Sequence, residues 1–174
     1  MVIKNGKRLT IRKAKKEDAQ EILNYTKKVG SESDNLLFGA EGLPYTVEQE
    51  EKILDNMYHS TSSTLLVGVI DGSIVCVGNV SSPPRERIAH QGNVALSVLK
   101  EFWGIGVGTR LMTELINFAK NSGKIEVLHL GVKADNASAI ALYKKLGFEE
   151  IGRHPKFFKI NGTYYDEILM NLYL

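Results

Sequence analysis

The sequence predicts a mixed α/β fold, with a central, mostly antiparallel sheet of about seven strands flanked by about four helices. Three observations carry that prediction. Strand-type and helix-type runs follow one another in the order β α α β β β α β α β β. One strand–helix–strand unit, residues 93–132, straddles a loop with glycine at every second position. The other strands outnumber the helices, and two pairs of them meet at tight-turn signals, "DGS" (71–73) and "NG" (161–162).

The elements follow in order. "RLTIRKA" (8–14) alternates and reads as a first strand. In "KEDAQEILNYTKKVG", Ala19, Ile22, Leu23 and Val29 fall near helical spacing, with Gly30 as the expected stop. "SESDNLLFGAEGLPY" reads as a loop or a broken helix. Thr46 with Gln49 three residues on is a capping-box pattern, and Ile53, Leu54, Met57 and Tyr58 form the apolar face of the helix it opens. "TLLVGVI" and "SIVCVGNV" form a hairpin around "DGS", and "NVALSV" (93–98) is the strand that leads to the glycines. Val107, Leu111, Leu115 and Phe118 mark a helix ending near "NSG" (121–123), and "KIEVLHLGV" (124–132) is a buried-type strand. "ADNASAIALYKKLGF" (134–148) is a short helix with Asn136 near its start and Gly147 at its C-terminal stop. The runs 148–160 and 163–174 close the chain as a hairpin.

At 174 residues the chain suits one domain, 1–174, with room for a real core. Apolar residues at 43% and charged residues at 24% exclude a disordered chain. A net charge of +2 makes no case for nucleic acid, and no ribonucleoprotein motif or aromatic platform is present. The basic segment 4–16 (Lys4, Lys7, Arg8, Arg12, Lys13, Lys15, Lys16) is either a solvated face or an anion-facing one. The single cysteine, Cys76, excludes an internal disulfide and a thiolate metal cluster, and its apolar setting reads as a small buried hydrophobe. No signal, membrane-spanning or lipidation pattern is recognisable, so a reduced, cytoplasmic setting without membrane association is expected.

Chemistry concentrates at "EFWGIGVGTR" (101–110), where Gly104, Gly106 and Gly108 can turn backbone N–H groups toward one point at a helix start, an anion-binding arrangement. A P-loop needs G-K-(S/T), and here Gly108 is followed by Thr109 and Arg110. The dinucleotide fingerprint needs G-x-G-x-x-G after a first strand, whereas this loop is G-x-G-x-G after the fourth. A turn without a ligand would need only one glycine. A dinucleotide loop and a ligand-free turn stay open beside a phosphate loop for an acyl-CoA pyrophosphate.

Two motifs in order carry a resemblance. "WGIGVGTRLM" (103–112) matches a loop reading Arg or Gln, then G-x-G-(I/V)-G and an amphipathic helix, at all but its first position, where Trp103 stands. "ADNASAIALYKKLGF" matches A-D-N-x-x-A-x-x-L-Y-x-K-L-G-F in full. With the strand "KIEVLHLGV" between them, residues 9–174 resemble the GNAT superfamily of CoA-dependent N-acetyltransferases, and the end of the chain resembles the C-terminal hairpin of its bacterial small-molecule and peptide-amine members.

The resemblance implies a GNAT-like acyl-CoA transferase fold and acetyl transfer from acetyl-CoA to a primary amine by direct attack in a ternary complex, with no metal. The pyrophosphate would lie on the N–H groups of Gly104, Ile105, Gly106, Val107, Gly108 and Thr109, with Trp103 an aromatic wall of the cofactor site in place of the usual Arg or Gln, and Arg110 either adding charge or standing in solvent. Strand 94–98 would splay from 124–132, the pantetheine arm pairing near Leu96 and Val98, and the Val98 N–H polarising the acetyl carbonyl. Asn136 would contact the same arm, or cap its helix, or both. Tyr143 would protonate the departing thiolate. Relatives carry a strand glutamate about where Asn93 stands, but 91–98 holds no carboxylate. Asn93 and Ser97 can orient a water, and His90 and His129 are either bases or packed and surface histidines. Glu32 and Asp34 are the expected acceptor-amine residues, or part of a plain solvated loop. The acceptor would be a small molecule or a peptide amine, and exposed strand edges allow a homodimer. The alternative is a non-catalytic acyl-CoA-binding or sensing module, favoured by the missing carboxylate.

Overall fold

The computed structural model describes residues 2, 3 and 6–174, so Lys4 of the basic segment lies outside the described residues. The elements are β1 (Thr10–Lys13), α1 (Ala19–Glu32), α2 (Val47–His59), β2 (Thr64–Ile70), β3 (Ser73–Ser81), β4 (Gln91–Val98), α3 (Val107–Asn121), β5 (Val127–Lys133), α4 (Ala137–Lys145), β6 (Glu149–Ile160) and β7 (Thr163–Tyr173). The strands form one seven-stranded sheet in the order β1-β2-β3-β4-β5-β7-β6. Every neighbour pair is antiparallel except β4 with β5, which the α3 crossover forces to run parallel. The mixed, mostly antiparallel sheet with four helices is therefore the one the residue pattern predicts.

Helices cover both faces. On one, α3 buries Val107, Leu111, Met112, Leu115, Ile116 and Ala119 against the sheet. Gly78 makes room for it, since a Cβ there would come within 2.8 Å of Leu115 Cδ1. On the other, α1 buries Ile22, Leu23, Tyr25 and Val29. A short 3-10 turn, Lys16–Asp18, precedes α1, and Arg12 from β1 grips Asp18 with two bonds of 2.7 and 2.8 Å. That guanidinium holds the Asp18 carboxyl below the usual carboxylate range. Cys76 is fully buried and burial pushes its thiol up to about 12, so it is inert packing as expected.

Local signals placed most helix ends. Thr46 and Gln49 form the capping box of α2, and the Asn161–Gly162 turn has both residues at positive φ, 48° and 81°, as a two-residue hairpin requires. Two expectations fail. Gly30 does not stop α1, which runs two residues further to Glu32. Its bare Cα instead admits the Gly39 carbonyl, into which a Cβ would run. Tyr58 is exposed rather than core-facing, because Lys13 of β1 lies over its ring, 5.8 Å from the centroid, with its ammonium bonded to the Tyr58 carbonyl.

The junction of β4 and β5 positions everything else. The two strands pair only at Gln91↔Val127, Gly92↔Leu128 and Asn93↔His129. Beyond Asn93 they part. On the other side β4 stays paired with β3 through Val98, and the Leu99 N–H continues the ladder to the Val75 carbonyl at 3.0 Å. Hydrogen-bonded pairs alternate in an antiparallel ladder, so Ser97 and Ala95 bond to β3 while the N–H and C=O of Leu96 and Val98 point toward β5. The His90 carbonyl shows the same parity, accepting from the Glu126 and Val127 amides on the β5 side. From 94 to 98 that edge therefore opens on a gap.

Candidate active site

One end of the gap is the glycine loop. Gly104 and Gly106 have φ of 72° and 96°, a left-handed backbone that any side chain would strain, and Gly106 is the N-cap of α3. Gly108 differs, lying within the first turn of α3. A Cβ there would meet only ordinary contacts, 3.7 Å to Val98 Cγ2 and 3.8 Å to Leu142 Cδ2. Among the described residues, no amide of residues 104–109 donates to a carbonyl of the chain. Ile105 packs partly buried against the core and Val107 is fully buried, which fixes the loop from beneath. The amides and the positive end of a fifteen-residue helix make an anion site. Arg110 pairs with Glu114 one turn along α3.

Trp103 has a role that the sequence did not disclose. Its indole N–H donates to the Val98 carbonyl at 2.7 Å, tying the loop to the open edge of β4. The ring remains half exposed beside the loop. With that carbonyl engaged, the Val98 N–H is the group left facing the gap.

On the same face, α4 supplies two predicted residues. Asn136 caps it, Oδ1 accepting from the Ala139 amide at 3.2 Å, so its NH2 group is left for another partner. At the other end the Phe148 amide donates to the Tyr143 carbonyl at 3.0 Å and the Gly147 amide to Lys144 at 3.1 Å, with Gly147 at φ 93°. This Schellman closure brings the Phe148 ring to 5.8 Å from that of Tyr143 and locks the tyrosine in place. Tyr143 is buried, and burial raises its phenol to about 12, so it stays protonated. Among the described residues its hydroxyl has no hydrogen-bond partner.

The opposite face of the gap carries polar groups. Ser97 Oγ and the Tyr25 hydroxyl of α1 lie 3.0 Å apart, and burial raises the Tyr25 phenol far above its ordinary value. Glu32, at the end of α1, accepts from the Lys100 amide at 2.8 Å, while Asp34 is exposed in the following turn. Asn93 is exposed where the gap begins, opposite His129, whose imidazole burial pushes down. His90 lies at the paired end of β4, away from the gap, and its carbonyl is engaged with β5. The structure thus gathers Leu96, Val98, Trp103 and the glycine loop at the gap, brings α4, which carries Asn136 and Tyr143, against the start of α3 through Leu142 beside Gly108, and leaves His90 outside the gap.

Residues that the sequence did not single out come from the last two strands. Glu167 of β7 lies directly across from Lys133 of β5 and from His154 of β6. Its carboxylate leans over Gly131, where a Cβ would run into Oε1. Nothing in "TYYDEILMNLY" marks this glutamate, because its surroundings are set by the register of three strands. Among the described residues no three His, Cys, Asp or Glu side chains form a metal-holding group, and no helix is long and apolar enough to cross a membrane.

Comparison with known proteins bears directly on this arrangement. The model of the acetyltransferase (GNAT) family matches residues 34–148. The L-amino acid N-acetyltransferase AaaT of Escherichia coli is 35% identical over 105 residues, 60% of this chain and 65% of the relative. The N-alpha-acetyltransferase RimI of Mycobacterium tuberculosis is 32% identical over 96 residues, 53% of this chain and 56% of the relative. The chain thus spans less than two thirds of the length of these relatives. Among solved structures, a GNAT-family acetyltransferase of Streptococcus pneumoniae superposes with a TM-score of 0.94 at 30% identity, covering 96% of this chain and all of that one. The yncA protein of Salmonella typhimurium, solved with acetyl-CoA, shares the fold, with a TM-score of 0.82 at 20% identity over 95% of this chain and 94% of that one.

Proposed function

The chain belongs to the acetyltransferase (GNAT) family, and on that premise we propose that it moves an acetyl group from acetyl-CoA to a primary amine of a small molecule or peptide. The observation that carries this reading is the parting of β4 from β5 beside a nest of amides that, among the described residues, donate to no carbonyl of the chain. The residues present fit the co-substrate. The amides of 104–109 and the N-terminus of α3 hold a pyrophosphate, the Leu96–Val98 edge takes a pantetheine arm as an added strand, and the Asn136 NH2 group bonds it from α4.

When bound, acetyl-CoA supplies an activated acetyl carbonyl and a thiolate leaving group. The Val98 N–H, its own carbonyl engaged by Trp103, polarises the acetyl oxygen as a single oxyanion donor. Tyr143, protonated and held rigid by Phe148, gives its proton to the sulfur. Glu32 and Asp34, at the α1 end of the opposite face, favour a cationic acceptor. We read residues 1–174 as one cytoplasmic transferase domain, supported by the single continuous sheet and the lone buried thiol.

The test is thiol release from acetyl-CoA across polyamines, amino acids, aminoglycosides and short peptides, with calorimetric binding of acetyl-CoA alongside. Release with one acceptor class is expected and names the substrate. Tight binding with no release from any amine would replace the transferase with a sensing module.

A further inference from the structure

The face of the sheet on the α1 side has no strand-β4 carboxylate, yet a carboxylate reaches it from β7. Side chains alternate along β4 and β5, so Asn93, Ala95 and Ser97 share this face with His129, Gly131 and Lys133. Following the parallel register on from Asn93↔His129 sets Gly131 across the gap from Ala95. Glu167 lies over Gly131, and glycine is what lets it lie there, since a Cβ would occupy the site of Oε1.

The charge of Glu167 is only weakly matched. By register, the titratable groups on its face of the sheet are Lys133 and His129 of β5, His154 of β6 and Tyr165 of its own strand, and of these His154 is the one that acts on its charge. Lys133 is its direct cross-strand partner but is turned away. Its ammonium lies 2.6 Å from both Asp135 oxygens and 3.7 Å from the Tyr165 ring centroid. His154 Nδ1 stands 3.9 Å from Glu167 Oε2, beyond hydrogen-bond range and in solvent. The Glu167 side chain is 12% exposed, and burial lifts its carboxyl above the ordinary range, with His154 opposing. A half-dry carboxylate without a committed partner, beside the gap, suits a cationic ligand.

We propose that Glu167 receives the acceptor ammonium and takes its proton, a role that rests on the acetyl-transfer reading above. The step forms the C–N bond of an acetamide and breaks the thioester C–S bond. Of the three ammonium protons, one stays on the amide, one reaches the sulfur by way of Tyr143, and one leaves to solvent through Glu167 beside His154. Glu167 thereby performs the task that a strand-β4 carboxylate would perform, from the far side of the gap.

The experiment compares wild type, Glu167→Gln and Gly131→Ala by turnover against pH, by calorimetric binding of acetyl-CoA, and by binding of the accepted amine to the protein saturated with free CoA. For Glu167→Gln we expect kcat/KM to fall by about 100-fold. Acetyl-CoA affinity stays within about two-fold, amine affinity falls about ten-fold, roughly the loss of one charged contact, and the acidic limb of the pH profile disappears. Glu167 acts in its deprotonated form. Wild-type kcat/KM rises with pH as Glu167 deprotonates, above the ordinary carboxylate range. Gly131→Ala changes no ionisable group but displaces the carboxylate, and is expected to lower turnover and amine affinity without touching acetyl-CoA binding. Near-wild-type turnover by a folded Glu167→Gln protein overturns the role, and if that variant does not fold, near-wild-type turnover by Gly131→Ala does so. A wild-type protein that binds acetyl-CoA but acetylates no amine overturns the transferase reading itself, and is recognised before either variant is made.

Discussion

Replacing Gly106 by valine tests the phosphate loop with two separable readouts. The backbone there has φ 96°, and nothing lies within 4 Å of where a Cβ would stand, so the free protein meets a conformational penalty and no clash. Holding a branched residue left-handed costs about 1–2 kcal/mol. At roughly 2–4 °C per kcal/mol for a chain of this size, the melting temperature falls by about 2–8 °C and folding survives. Ligand binding suffers more. If the loop relieves the strain by moving to negative φ, about two amide contacts to the pyrophosphate turn away, each worth roughly 1.5–3 kcal/mol when charge-assisted. Affinity for acetyl-CoA then drops by at least about 100-fold. Calorimetric titration beside a thermal melt reads both quantities. Gly108→Ala is the stability control: its Cβ meets contacts no closer than 3.7 Å, and alanine favours the helix, so its melting temperature holds or rises. A folded Gly106→Val protein that binds acetyl-CoA within about three-fold of wild type would place the pyrophosphate elsewhere and refute the loop assignment.

Two further outcomes are expected. Tyr143→Phe keeps the ring packed on Phe148 and removes only the proton donor, so kcat falls by roughly 100-fold with acetyl-CoA affinity unchanged; stopped-time thiol assays and calorimetry measure the two, and lost affinity would make Tyr143 structural. Trp103→Phe keeps a ring but frees the Val98 carbonyl, costing about 1 kcal/mol of stability and lowering kcat more than affinity; an unchanged kcat would show that the indole bond does not aim the Val98 N–H.

Much of this molecule is local in origin. The Thr46–Gln49 box, the Asn136 cap, the Gly147 stop and the Asn161–Gly162 turn need only neighbours a few residues apart, so their side chains and φ angles announce themselves along the chain. The glycine loop is legible for the same reason, as a backbone shape written in residues without Cβ atoms. Local reading fails where a distant segment supplies the reason. Gly30 looks like a helix stop until the Gly39 carbonyl is seen against it, and Trp103 looks like a missing cation until its indole is found on Val98. Glu167 is one of several acidic residues in the sequence. Only the order β5-β7-β6 and its register lay it over Gly131 with Lys133 turned aside to Asp135. The sequence by itself determined the elements, their caps and the anion-binding loop, because propensity and capping act within a turn or two of helix. Tertiary structure alone decided which groups face the gap. Sheet register is a long-range choice, and a shift of one residue would carry every side chain of a strand to the other face.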